Sequence, residues 1–205
     1  MTMIKLYDSK LSGNAWKVRL LLRHLDIPFE RMTLNLAEGL HKKPEFACRN
    51  RFQRIPVVEL ADGSHLSESG AILLYFADGT ELLPKAPAAR AAVIAWLFYE
   101  QGDLGRFLAY PRFYAMTGQT QSQADLIAHY HQIATAAFAP VEKTLTEHHW
   151  LNGDALSAAD FALYPYIRLS PEGGFDLSAW PGVQAWLARF EALPAYEPLV
   201  SETRQ

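Results

Sequence analysis

The chain has 205 residues, which fits one large domain or two small ones at the usual size of roughly 150 residues and excludes a large multidomain assembly. Half of the residues are apolar and a fifth are charged, ordinary globular usage that excludes a disordered, collagenous or coiled-coil chain. A formal net charge of -3 argues against an electrostatic grip on nucleic acid or a membrane surface, and the single cysteine, Cys48, excludes an intramolecular disulfide framework.

In chain order, a β-like run Met3-Ile4-Lys5-Leu6-Tyr7 leads into a predicted helix from Asn14 to Leu25, where Val18, Leu21, Leu22 and Leu25 recur at helical spacing, and then into a second run from Phe29 to Leu34. This is a βαβ pattern. A polar stretch from His41 to Asn50 follows, with Cys48 expected as a packed residue of a helix. Next come a strand Val57-Val58-Glu59-Leu60, a turn Ala61-Asp62-Gly63-Ser64, a short strand at Leu66 and a helix from Glu68 to Phe76. The Pro/Gly-rich segment Ala77 to Pro87 ends this pattern. Beyond it Ala88 to Met116, Ser122 to His149, Ser157 to Leu169 and Trp180 to Leu193 all read as helices. The predicted organisation is an α/β domain over 1–80, a linker over 81–87 and an all-helical domain over 88–205. Ser157-Ala158-Ala159-Asp160 has the form of a capping box with Asp in place of Glu. The start of the chain has no signal-peptide pattern, and no apolar run reaches the roughly 20 residues of a membrane span, so a cytoplasmic location is expected.

Three strand–helix junctions carry candidate chemistry. The turn Asp8 to Lys17 brings the hydroxyl of Ser12 and the N–H groups of a helix start toward one place that favours an anion; Ser12 or Asn14 as a plain N-cap is the alternative. Pro56, heading a strand, cannot donate to the ladder and marks an edge, a bulge or a cis turn; a cis Ile55-Pro56 bond would turn the Ile55 backbone outward to pair with an extended peptide ligand. Ser67-Glu68-Ser69-Gly70 opens a helix with acidic and hydroxyl groups, a pattern that capping alone also accounts for. The seven histidines offer no metal set: His129 and His131 do not share a helix face, and His148 and His149 are adjacent.

The order Tyr7…Ser12-Gly13-Asn14-Ala15-Trp16-Lys17-Val18-Arg19, then Phe52-Gln53-Arg54-Ile55-Pro56-Val57-Val58-Glu59-Leu60, then Leu66-Ser67-Glu68-Ser69-Gly70, with Ser157-Ala158-Ala159-Asp160-Phe161-Ala162 later, resembles the cytosolic glutathione S-transferases, and among them the bacterial serine-type, theta- or zeta-like members. The resemblance covers nearly the whole chain. It implies a thioredoxin-like N-terminal domain (βαβ-ββα), an all-α C-terminal domain and a soluble homodimer, with Phe52 as an aromatic key into the partner and Asp103 as a candidate to reach the partner's glutathione. It also implies that glutathione is the co-substrate and that no metal takes part.

By the same resemblance Ser12 is the catalytic hydroxyl, with the tyrosine classes placing theirs nearer Tyr7. Asn14, His41, Gln53, Ile55, Pro56, Glu68 and Ser69 complete the glutathione site: Ile55 docks the cysteinyl unit, while Glu68 and Ser69 receive the γ-glutamyl ammonium and carboxylate. A hydrophobic electrophile is expected in a pocket between the domains, lined by Tyr110, Phe113 and Tyr114, for which helix core is the alternative. The activity implied is conjugation of glutathione to that electrophile; isomerase, peroxidase or dehalogenase chemistry at the same site, or ligand binding without catalysis, are the alternatives. The chain departs from many relatives at Asn50-Arg51-Phe52-Gln53-Arg54, which lacks their Pro and Gly, and it has Asn14 and Ala15 where cysteine-type members carry a catalytic Cys.

Overall fold

The computed structural model describes residues 3–200 and divides into two compact units, the first formed by residues 3–78 with 193–200 and the second by residues 79–192.

In the first unit, β1 (Ile4–Asp8), α1 (Gly13–His24) and β2 (Phe29–Thr33) form the expected βαβ unit, and β3 (Val57–Glu59), β4 (His65–Ser67) and α3 (Ser69–Ala77) the expected ββα unit. The sheet order is β2-β1-β3-β4. β1 and β2 run parallel with Ile4 opposite Phe29; β1 and β3 are antiparallel with Leu6 opposite Val58; β3 and β4 are antiparallel with Val57 opposite Ser67. Successive strand residues face opposite sides. Leu6 and Val58 therefore join Val18 and Leu22 of α1 and Ile72 of α3 in one core layer, while Tyr7 and Val57 pack with Phe46 on the other face. Phe46 belongs to a helix of four residues, α2 (Pro44–Ala47), inside the stretch that reads as polar. So short a helix buries one side chain, which leaves Cys48 exposed at its C-terminal end rather than packed as expected.

The second unit contains α4 (Pro87–Tyr99), α5 (Gly105–Met116), α6 (Ala124–Glu147), α7 (Ala158–Leu169) and α8 (Pro181–Glu191). The run predicted as one helix from Ala88 to Met116 is interrupted by a π-helical stretch, Glu100–Leu104. There the buried Glu100 carboxylate folds against Gly105, in space that any side chain at 105 would occupy. The predicted capping box is present at the start of α7: the Ser157 N–H and hydroxyl donate to Asp160 Oδ2 at 2.9 and 3.0 Å. Its other oxygen accepts from Leu151 N–H at 3.1 Å and from the Trp186 indole at 3.0 Å. With no side-chain cap of its own, α8 is capped by a neighbour: Glu142 of α6 accepts from the N–H groups of Gly182 and Val183 at 2.8 and 2.9 Å, satisfying donors that a helix start leaves orphaned.

Leu82 and Leu83 belong to the second unit, where they are buried and the Leu82 carbonyl accepts from Ala158 N–H at 2.9 Å. The far end of the chain also differs from expectation. Residues 193–200 pack with the first unit instead of the helices, because Pro194 and Pro198 break the helical pattern and α1 supplies partners for the Glu197 and Leu199 carbonyls. The parts of the expected domains at residues 1–2 and 201–205 lie outside the described residues.

Candidate active site

The turn from β1 to α1 closes with Ser12 N–H donating to the Ser9 carbonyl at 3.2 Å. Ser12 is the N-cap of α1, in extended conformation, and its Oγ accepts from Ala15 N–H at 3.2 Å. This bond uses a lone pair and leaves the hydroxyl hydrogen to be donated elsewhere, so capping and donation to an anion are compatible in one side chain. The first turn of α1 carries no acidic residue to offset the positive end of the helix. Tyr7 is differently engaged. Its ring is 7% exposed, its hydroxyl donates to Glu59 Oε2 at 2.7 Å, and the Arg49 guanidinium sits 5.1 Å over its face. Burial, followed by the bond to Glu59, holds the phenol above its ordinary pKa.

The start of α3 is tied to the start of α1: the Ser69 hydroxyl donates to Asn14 Oδ1 at 3.3 Å. Glu68, just before α3, has φ of 68° and makes no cap hydrogen bond, so the capping alternative does not describe its side chain, which is exposed. Ile55-Pro56 is cis as expected, with Pro56 buried and Ile55 half-buried. Gln53 also has a positive φ, 49°. Of the three described non-glycine residues in this costly backbone region, about 1–3 kcal/mol each, Gln53 and Glu68 are predicted site residues and Asp26, with φ of 53°, is not.

The loop without Pro and Gly is held instead by Asn50, 3% exposed: its Nδ2 donates to the Arg54 carbonyl at 2.7 Å and its Oδ1 accepts from Phe52 N–H at 2.9 Å. Asn50 escaped the sequence reading, as did Lys42, whose Nζ donates to the Gln53 carbonyl at 3.0 Å while Gln53 Nε2 donates to the Lys42 carbonyl at 3.4 Å. Position beside His41 was the one signal for Lys42. His41 lies in a 3-10 turn, Leu40–Lys42, and desolvation with the Lys42 charge lowers its pKa, which keeps the imidazole neutral near pH 7. Phe52 is 47% exposed beneath the Arg51 guanidinium.

Tyr110, Phe113 and Tyr114 lie on α5 in the second unit. Tyr110 and Phe113 are 45% and 51% exposed, which sets aside the helix-core alternative for both. Ring contacts join Tyr114 to Tyr110 at 6.3 Å and to Phe113 at 6.0 Å, and Tyr130 of α6 extends the cluster at 6.0 Å from Tyr110. Tyr130 could not be placed there before the pairing of α5 with α6 was known. Asp103 is exposed within the π-helical stretch. Among the described residues no group of three or more His, Cys, Asp and Glu is placed to hold a metal; His131 bonds the Gly173 carbonyl at 3.0 Å and His149 pairs with Asp154 at 3.3 Å. A cleft of about 1120 Å³ on the first unit is lined by Arg19, Arg23, Arg31, Tyr196 and Glu197 among others and shares no residue with the predicted glutathione set.

Family models for the glutathione S-transferase N-terminal and C-terminal domains match residues 2–78 and 94–194. The chain belongs to the glutathione S-transferase family. It is 32% identical to the disulfide-bond oxidoreductase YfcG of Escherichia coli (strain K12), over 94% of this chain and 92% of that one. Among solved structures, a glutathione S-transferase from Pseudomonas fluorescens is 36% identical over 97% of this chain and 100% of its own, with a TM-score of 0.94. A glutathione transferase from Burkholderia graminis, with two glutathione molecules bound per subunit, is 28% identical over 95% of this chain and 85% of its own, with a TM-score of 0.85. The thioredoxin-like first unit and the helical second unit are the fold of this family. No described helix is long and apolar enough to cross a membrane.

Proposed function

We propose that the protein binds glutathione along the starts of α1, β3 and α3 and activates it as a thiolate for attack on a hydrophobic electrophile. The observation that carries this reading is the junction of α1 and α3. Ser69 bonds Asn14 there, two residues from a Ser12 hydroxyl whose hydrogen is not consumed by its cap. Glutathione presents an ammonium, two carboxylates and an extended backbone. The exposed Glu68 carboxylate suits the ammonium, the start of α3 with Ser69 suits the γ-glutamyl carboxylate, and the Ile55 N–H and C=O ahead of cis Pro56 suit the cysteinyl peptide. In this reading His41, Lys42 and Gln53, the last two joined by hydrogen bonds, would receive the glycyl carboxylate.

Ser12 does not act as a base, because a hydroxyl is far too weak an acid to exchange a proton with a thiol near neutral pH. It donates a hydrogen bond to the sulfur and, with the α1 N-terminus, lowers a thiol pKa from about 8.5. The thiolate forms a carbon–sulfur bond as the leaving group departs, and Tyr110, Phe113 and Tyr114 supply an aromatic surface for the second substrate. A homodimer with Phe52 at its interface and a cytoplasmic location belong to the same proposal.

The similarity to YfcG favours a second reading. The same thiolate attacks a disulfide sulfur and releases a thiolate, and a second glutathione resolves the mixed disulfide to oxidised glutathione. The Burkholderia relative, with its two glutathione molecules, fits that stoichiometry. Retention on immobilised glutathione tests the shared part. Turnover of an aryl halide against turnover of a small disulfide separates the two readings, and absence of both with glutathione retained leaves isomerase, peroxidase or dehalogenase chemistry or the non-catalytic binder.

A further inference from the structure

Residues 193–200 begin with a turn, closed by Tyr196 N–H donating to the Leu193 carbonyl at 2.9 Å, and continue as an irregular strap whose residues Tyr196, Glu197 and Leu199 pack on α1. The Trp16 indole N–H donates to the Glu197 carbonyl at 2.8 Å, and Arg19 Nη2 donates to the Leu199 carbonyl at 3.0 Å. Arg23 pairs with the Glu197 carboxylate, and the Tyr196 ring lies 6.4 Å from that of Trp16. Trp16, Arg19 and Arg23 follow at spacings of three and four, so they share one face of the helix. Trp16 and Arg19 are each 2% exposed. Arg19 also faces the sheet, with Nε 3.7 Å from Asp8 Oδ2, and Arg31 Nε holds the same oxygen at 2.6 Å. Asp8 ends β1, and Ser12 caps α1 four residues later. The contacts Asp8–Arg19–Leu199 and Trp16–Glu197 thus bracket the turn that carries the candidate catalytic hydroxyl.

We propose that this strap is a positioning element of the thiolate site. By fixing α1 against the end of β1, it sets where the Ser12 hydroxyl and the first-turn N–H groups point, and so how strongly they stabilise a bound thiolate. The proposal rests on the reading of the Ser12 site given above. Adhesion of α1 to the sheet has another source, the buried contacts of Val18 and Leu22 with Leu6, Val58 and Ile72. Those apolar contacts are non-directional, whereas the hydrogen bonds to two strap carbonyls depend on direction. Donation to sulfur is sensitive to displacements of about half an ångström, so Trp16 and Arg19 act through α1 without touching the substrate.

The test uses the full-length protein with Trp16→Phe, which keeps a ring and removes the N–H, Arg19→Lys, which keeps the charge and loses the planar fork, and Ser12→Ala. Ionisation of bound glutathione is read from thiolate ultraviolet absorbance against pH, with calorimetric affinity and thermal melting alongside. Trp16→Phe and Arg19→Lys are expected to raise the bound thiol pKa by about one unit, a tenfold loss of thiolate below that pKa. Glutathione affinity measured well below the thiol pKa should stay within about twofold, because the groups that hold the tripeptide's ends are untouched. Trp16→Phe is the milder change and decides the matter if Arg19→Lys fails to fold. An unmoved pKa in folded Trp16→Phe overturns the proposal, as does weaker binding without a pKa change. If Ser12→Ala leaves the pKa unmoved while Trp16→Phe raises it, the strap acts through the helix N–H groups and the Ser12 reading falls.

Discussion

Ser12 has two roles that substitution can separate. As N-cap it accepts from Ala15 N–H at 3.2 Å; as proposed donor it gives its hydrogen to sulfur. Ser12→Ala removes both. Loss of the cap costs about 1 kcal/mol of stability, a fall in Tm of roughly 2–4 °C for a protein of this size. Loss of a hydrogen bond to a charged acceptor costs about 1.5–3 kcal/mol, which raises the thiol pKa by roughly one to two units and lowers neutral-pH turnover by roughly 10- to 100-fold. Ser12→Gly is the discriminating variant. Glycine at an N-cap costs only a few tenths of a kcal/mol, so stability should return nearly to wild type while turnover stays as low as in Ser12→Ala. Ser12→Thr keeps cap and hydroxyl and should retain most of both. The assay pairs glutathione turnover of an aryl halide or disulfide with thermal melting. If Ser12→Gly turns over like the wild type, Ser12 is a cap and nothing more, and the sulfur must find another donor.

Replacing Glu68 by Gln removes the charge that faces the γ-glutamyl ammonium. The group is exposed, so a loss of about 1 kcal/mol, roughly fivefold in Kd, is expected, and equal calorimetric affinities would count against the assignment. Gly173→Ala would place a Cβ 2.6 Å from Arg112 N; the backbone must shift, at about 1–3 kcal/mol by urea denaturation, and unchanged stability would deny the close approach. Burial pushes Asp160 from 3.8 up to about 6. A raised folded-state pKa contributes stability that is complete below the unfolded value and lost as pH rises through the folded one, here about 3 kcal/mol between pH 4 and 7. Asp160→Asn does not ionise, so the stability of the wild type relative to this variant should fall across that window; a difference independent of pH would refute the shift.

The legible part of this molecule was local. The capping box at Ser157 and Asp160 and the alternation of strands and helices each depend on neighbours within a few residues, and each is visible as a residue type at a fixed offset, whereas Pro56 alone left an edge, a bulge or a cis turn open and only the family resemblance pointed to the cis bond. The π-helical break at Glu100 was hidden because its cause, a buried carboxylate folded onto Gly105, lies in packing. Asn50 was hidden for a different reason. The loop it holds was recognised by the Pro and Gly it lacks, and only the bonds to Arg54 and Phe52 show what replaces them. The strap from Leu193 was misplaced because Trp16 and Arg19 read as ordinary members of a helix, and their partners are backbone carbonyls about 180 residues away, which carry no sequence signature.

Tyr7 and Ser12 are the two hydroxyls near the β1–α1 turn that could take the proposed catalytic part, and the neighbours of each favour Ser12 in that proposal. Tyr7 sits on β1, where alternation turns it onto the face packed by Phe46, and Glu59 on the adjacent strand takes its proton donor at 2.7 Å. Freeing that hydroxyl for a thiolate would break a bond to a charged acceptor, at about 1.5–3 kcal/mol, before any stabilisation of sulfur. Ser12 lies beyond the end of the strand, at a helix start with no acidic first-turn residue, and its donor is not used by the cap. A tyrosine hydroxyl at one end of the turn has thus been absorbed into the sheet, and the serine at the other end remains able to donate. The pattern makes a further demand that experiment can meet: Tyr7→Phe should cost stability through Glu59 and leave the bound thiol pKa where it was, and a rise comparable to that of Ser12→Ala would return the tyrosine to the site.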